Sequence, residues 1–323
     1  MTLKKLFWPA VGALAILVSG WLLYRELRGL SLADLTASLA AISGRSWMLS
    51  ALCTLVAYAA LAGYDRIALL HLRRNVSWLF IALCSFTTYA LSHTIGASVF
   101  SGAVIRYRAY SSRGLTPQEI GILVAFCSFT FALGVVLLTG LVLVGEPDIT
   151  ERIADLLPEG LSITTGYLLL ALVGFYVLGS AVGLKPFTIG SLTLSYPRLP
   201  IVARQLVIGP VELLAAAGIV YFALPEAGNP GYFTVLGVFL FSFSVALLSH
   251  APGGVGVLEL VFIMALPEMD PADVLAALLV FRAFYLIIPF LIAIVILLFF
   301  ERSQFIQPDL EGREEAAHVP PKS

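Results

Sequence analysis

Two short stretches carry the residue types best suited to chemistry. Leu91-Ser92-His93-x-x-Gly96 recurs in the second half of the chain as Leu248-Ser249-His250-x-x-Gly253, followed at once by Gly254. A helix that begins just after such glycines exposes unpaired N–H groups and a partial positive charge, a setting for phosphate or carboxylate. Gly96, Gly253 and Gly254 let backbone approach the anion, and Ser98 and Ser101 add hydroxyls. The same small residues would also serve simple helix packing. His93 and His250 occupy matching positions and titrate near neutral pH, which suits proton coupling. Hydrogen-bonded capping of a broken helix is their plainer role.

Arginines complete the set. Arg106, Arg108 and Arg113, interleaved with Tyr107 and Tyr110, close the first stretch. A guanidinium offers phosphate a rigid fork of donors, although charge snorkelling to a membrane surface would leave the same pattern. Arg282 stands inside a long apolar run, where an ionisable group needs a partner or a cavity. Glu259 and Glu212 are the available counter-charges, and a Glu259–Arg282 pair is the first expectation. Asp65 and Arg66 are expected to form a local ion pair. No carboxylate or cysteine completes a metal site around the histidines, so no metal and no cofactor are expected.

The elements that position these residues follow from composition. The 323 residues are 59% hydrophobic and only 12% charged. Soluble domains carry about 25% charged residues, so the fold class is an all-α polytopic membrane protein. Net charge is −1, with no basic tract, and nucleic acid is not an expected partner. Cys53, Cys84 and Cys127 all lie in apolar runs, where packing is their expected role. A crossing helix needs about 20 apolar residues. Six segments qualify, at 6–24, 47–70, 118–144, 163–184, 201–224 and 272–300, the first read as an uncleaved helix rather than a signal peptide. Two further apolar tracts, 78–104 and 231–266, are broken by the glycine stretches.

Basic residues favour cytoplasmic loops. With the N-terminus inside, most of the nineteen lysines and arginines fall on the cytoplasmic side; Arg25, Arg28, Arg45 and Arg152 fall outside. Both flanks of tract 78–104 are then inside and both flanks of tract 231–266 outside. Each tract is expected to enter and return as a re-entrant hairpin whose arms are too short to cross alone, with tips at Ser92–Ser98 and His250–Gly256. The outgoing arms should start at Ala97 and Val255. The chain therefore reads as one transmembrane domain over 1–302, in two inverted halves of about 1–145 and 160–302. A polar, disordered cytoplasmic tail is expected over 303–323. Inverted repeats with broken helices are a common plan of secondary transporters.

Tyr64-Asp65-Arg66-Ile67-Ala68-Leu69, Ser85-Phe86 through Ser92-His93-Thr94-Ile95-Gly96, and Ser101-Gly102-Ala103-Val104-Ile105-Arg106-Tyr107-Arg108-Ala109-Tyr110-Ser111 resemble the N-terminal membrane half of bacterial phosphatidylglycerol lysyltransferases (multiple peptide resistance factor). Gly114-Leu115-Thr116 extends the likeness, and PGGVGVLE at 252–259 is similar to the wider lysylphosphatidylglycerol synthase transmembrane family. The resemblance implies a bacterial inner-membrane flippase of aminoacylated phosphatidylglycerol, tied to antimicrobial-peptide resistance. No soluble transferase domain is expected, and the sequence has neither a phosphate-binding loop nor a Ser-His-Asp arrangement. Enzymatic activity is therefore not expected. The expected partner is a membrane phospholipid. The alternatives are an accessory subunit for a separately encoded transferase, with homo-oligomers also open, and a carrier of a small anionic solute.

Overall fold

The computed structural model describes residues 31–95, 98–146, 148–152, 162–183, 187–189, 192–194, 196–249 and 254–299. The expected span at 6–24, the tail at 303–323, Gly96, Ala97, His250 and Gly253 lie outside the described residues. For Ser98 and Ser101 only the backbone is described.

Helix starts follow local capping chemistry. Helix α1 (Leu32–Ala41) begins with a capping box in which Ser31 and Asp34 exchange hydrogen bonds, and these hold the Asp34 carboxyl below its usual range. Helix α2 spans Gly44–His71, α3 Trp78–Ile95 and α4 Ser98–Ser111. Helix α5 (Pro117–Gly145) opens on a Thr116–Glu119 box with proline in its first turn. A short α6 (Ile149–Arg152) precedes α7 (Ile163–Val182), which stops at left-handed Gly183. A two-stranded ribbon, β1 (Phe187–Ile189) with β2 (Leu192–Leu194), lies between α7 and α8 (Leu199–Ala223). Helices α9 (Tyr232–Ser249), α10 (Val257–Ala265) and α11 (Pro271–Phe281) follow. The last continues through a π-helical segment, Arg282–Ile287, to Phe299.

The chain is an all-α polytopic membrane protein. Among the described residues, five helices are long and apolar enough to cross a membrane: α2, α5, α7, α8 and the run Pro271–Phe299. They coincide with five of the expected spans. Their outer faces expose Leu168, Leu172, Phe175, Leu291 and Leu298, residues that suit lipid rather than water.

Helices α2 and α8 form the centre and run antiparallel, with Ser50 beside Ile219, Cys53 beside Gly218, and Gly63 beside Ile208. Small residues allow this approach. Helix α5 crosses α8 where Gly134 meets Gly209; a Cβ on Gly134 would lie 2.8 Å from a Gly209 backbone carbon.

Helices α3 and α4 pack back to back in opposite directions. Gly102 lies against Ser92 and Thr88, Tyr89 lies under Arg106, and Phe80 meets Tyr110. Their outer ends meet as well: Arg74, before α3, clasps Glu119, after α4, through two hydrogen bonds of 2.7 and 3.0 Å. Helices α9 and α10 repeat the arrangement. Ala246 lies beside Gly254 at the turn, and Gly228, before α9, abuts the Glu268 carbonyl after α10. Glu268 in turn bonds Arg152, just beyond the C-terminal end of α5. The first pair thus closes at one end of α5 and the second at the other.

The start of the second outgoing arm needs correction. The incoming arms α3 and α9 have 18 residues each, or roughly 27 Å at 1.5 Å per residue, while α10 has 9. Ser92 does not interrupt α3 because its hydroxyl bonds the Thr88 carbonyl one turn back, so the helix runs on to the glycine. The arm after the second tip starts at Val257 rather than Val255, since Gly254 and Gly256 take positive φ values of 65° and 83°.

Candidate functional site

Three carboxylates organise the interior. The first is Asp65, on the central helix α2. Arg106 of α4 donates to it through Nη2 at 2.7 Å and through Nε at 3.3 Å to each oxygen. Tyr110, one turn further along α4, donates its hydroxyl at 2.8 Å, and the Cys127 thiol of α5 approaches at 3.4 Å. Asp65 is therefore satisfied by three residues from two other helices, and its neighbour Arg66 is not among them. The reason is rotational: adjacent helical residues diverge by about 100°, so Asp65 turns inward while Arg66 turns away. Arg106 is buried, with the Tyr89 ring 4.8 Å from its guanidinium carbon, rather than snorkelling to a surface. Arg108 and Tyr107 lie on the exposed side of α4, and Arg113 stacks over Phe80 at 4.3 Å.

The second carboxylate is Glu259. Arg282 donates to its Oε1 through Nε at 2.8 Å and Nη2 at 2.5 Å, forming the pair expected from sequence. The other oxygen accepts the Gly256 backbone N–H at 2.8 Å. The N-terminus of α10, expected to be open for a phosphate, thus holds a carboxylate from its own first turn.

The third is Glu212 on α8, and it does not serve as counter-charge to Arg282. Its oxygens accept the hydroxyls of Tyr285 at 2.5 Å and Tyr64 at 3.4 Å. Tyr285 belongs to the π-helical segment. Pro289 lacks the N–H that would bond the Tyr285 carbonyl four residues back, and the Tyr58 hydroxyl occupies that carbonyl at 2.9 Å.

His93 links the first helical pair to this cluster. Its ring stacks on Tyr285 with centroids 5.3 Å apart and planes 17° apart, and it lies 5.6 Å from Tyr89. Among the described residues, its buried Nδ1 has no hydrogen-bond partner. The structure thus brings His93, Arg106, Asp65 and Glu212 around α2. Glu259, Arg282 and Gly254 lie on the second pair and the helix that follows it. Sequence reasoning missed Tyr58, Tyr64, Tyr285 and Cys127. Pro289 inside a long apolar run was the one available signal of a disturbed helix near Tyr285.

A cavity of about 290 Å³ opens between α5, α7 and α9. Its lining is apolar, with Val135, Leu169, Leu240 and Phe241 prominent and Thr139 and Ser244 among the few hydroxyls.

The family model described as the lysylphosphatidylglycerol synthase TM region matches residues 12–293. A Synechocystis protein named "Uncharacterized protein slr0712" is 31% identical over 294 residues, 89% of each chain. The Escherichia coli inner membrane protein YbhN is 30% identical over 272 residues, 81% of each chain. A phosphatidylglycerol lysyltransferase of Staphylococcus haemolyticus is 32% identical over 109 residues, 30% of this chain and 13% of that protein.

Proposed function

Since the chain belongs to the lysylphosphatidylglycerol synthase transmembrane family, we propose that it is a flippase-like protein moving a phospholipid between membrane leaflets. One observation carries the reading. Two helical pairs close at opposite ends of α5, and each outgoing arm is tied to another helix by a buried or half-buried arginine–carboxylate pair. On this reading the pairs are re-entrant hairpins of an inverted repeat, entering from opposite leaflets, with both chain termini cytoplasmic. The antiparallel course of α2 and α8, second spans of their halves, supports that plan.

The headgroup phosphate competes with Asp65 for Arg106 and with Glu259 for Arg282. Arg108 and Gly254 join its path, together with Gly96, Ser98, Ser101, His250 and Gly253 as read from the sequence. In the resting protein the carboxylates hold both guanidinium groups in place and spare them unpaired burial. The apolar groove between α5, α7 and α9 takes an acyl chain. An aminoacylated phosphatidylglycerol is the candidate cargo, because the Staphylococcus relative is named for a phosphatidylglycerol lysyltransferase. The same likeness supports a second reading, a lipid-presenting subunit for a separately encoded transferase. The setting is a bacterial inner membrane, as the name of the E. coli relative indicates for that protein.

The test is leaflet exchange of headgroup-labelled phosphatidylglycerol in liposomes carrying the purified full chain. Exchange of the inner-leaflet pool well above protein-free liposomes is expected. Uptake of an anionic solute without lipid exchange would overturn the proposal, and exchange that needs an added transferase would favour the second reading.

A further inference from the structure

Glu212 takes part in neither ion pair, and its surroundings set it apart. It is 1% exposed, and among the described residues its partners are the hydroxyls of Tyr285 and Tyr64 alone, with no cation at ion-pair distance. Asp65 and Glu259 each have a guanidinium. A carboxylate enclosed by apolar protein without a cation is costly, and the cost disappears when it binds a proton.

We infer that Glu212 is a proton-binding site that takes up one H⁺ while enclosed by Tyr58, Tyr64 and Tyr285 and releases it when the surrounding helices part, coupling the conformational cycle to proton movement. On uptake an O–H bond of hydronium on one side of the membrane breaks as one forms to a carboxylate oxygen. On release the carboxyl O–H bond breaks and a water on the other side takes the proton as hydronium. The pH gradient is the only energy source required. The site stands whether the cargo is lipid or solute.

Titratable neighbours come from several of the packed elements. Helix α2 presents Tyr58 and Tyr64, and the π-helical segment presents Tyr285. Helix α3 presents His93, stacked behind Tyr285, and Tyr89 beyond it. Cys127 of α5 faces Asp65 instead. Tyr176 of α7 meets Gln205, seven residues before Glu212, and Tyr232 of α9 donates to the Leu214 carbonyl, two residues after it. Arg106 and Arg282 are held by Asp65 and Glu259. Tyr285 lies in a π-helical segment, a feature frequent at functional sites.

The test has two arms, both on the full chain. Infrared spectra of the purified protein are recorded through a pH titration, and exchange of labelled phosphatidylglycerol in liposomes is followed with and without an imposed pH gradient. The wild type is expected to show a carboxylic-acid carbonyl band that vanishes as pH rises, and Glu212→Gln to lack it. The gradient is expected to speed exchange in the wild type, and any exchange remaining in Glu212→Gln to be indifferent to it. A band that survives in Glu212→Gln, or is missing from the wild type at every pH, overturns the inference. So does undiminished gradient dependence in the variant. Should Glu212→Gln fail to fold, Tyr285→Phe keeps the carboxyl and must displace the band; an unmoved band overturns the inference equally. If no protein moves lipid, the lipid reading falls while the infrared arm still decides the proton site.

Discussion

Arg106 and Asp65 stand 41 positions apart on different helices, yet their side chains meet at 2.7 Å and are 5% and 0% exposed. Removing one partner leaves a buried charge uncompensated, a loss of about 3–5 kcal/mol. Asp65→Asn is therefore expected to lower the unfolding temperature sharply in detergent. The double variant Asp65→Leu/Arg106→Met, which removes both charges, is expected to recover most of that loss.

The Tyr110 hydroxyl is the other strong donor to Asp65. A hydrogen bond to a charged group contributes about 1.5–3 kcal/mol, so Tyr110→Phe should destabilise by that amount in a wild-type background. In an Asp65→Asn background the effect should shrink. A double-mutant cycle by thermal or chemical denaturation measures the coupling.

Tyr58 satisfies a carbonyl that Pro289 leaves without its usual partner. Tyr58→Phe is expected to cost about 1–3 kcal/mol, the penalty for an orphaned buried acceptor. Pro289→Ala returns an N–H to the helix, so the same Tyr58→Phe change should cost less in that background. Equal costs in both backgrounds would refute this account of the π-helical segment.

Gly134 and Gly209 touch backbone to backbone, whereas Gly121, on the exposed side of the same helix α5, has open space where a Cβ would go. Gly134→Ala must push α5 from α8 and should cost about 1–3 kcal/mol. Gly121→Ala should stabilise by about 0.5–1 kcal/mol through helix propensity. Unfolding midpoints of the two single variants decide.

The opposite closure of the two helical pairs predicts sidedness. Ser112 and Asp148 are exposed, near opposite ends of α5. Ser112→Cys is expected to react with a membrane-impermeant maleimide from the cytoplasmic side and Asp148→Cys from the other. Labelling of both from one side would remove the basis for hairpins that enter from opposite leaflets.

Hydropathy alone located the spanning helices, because a segment that must cross lipid has to bond its own backbone and carry an apolar surface over a fixed length. Glycine punctuation placed the breaks, and the scarcity of charge inside apolar runs made Arg282 and Glu259 stand out as partners. Rotation about the helix axis was not legible. Whether Asp65 faces Arg66, Arg106 or lipid depends on how α2 packs against α4 and α5, and no local residue pattern encodes it. Glu212 illustrates the same limit. Its type and depth were visible in the chain, but its having two tyrosines and no arginine was decided only where α8, α2 and the π-helical turn meet. Buried polar groups must be satisfied by whatever the packing brings within 3 Å or so, and that selection is made in three dimensions.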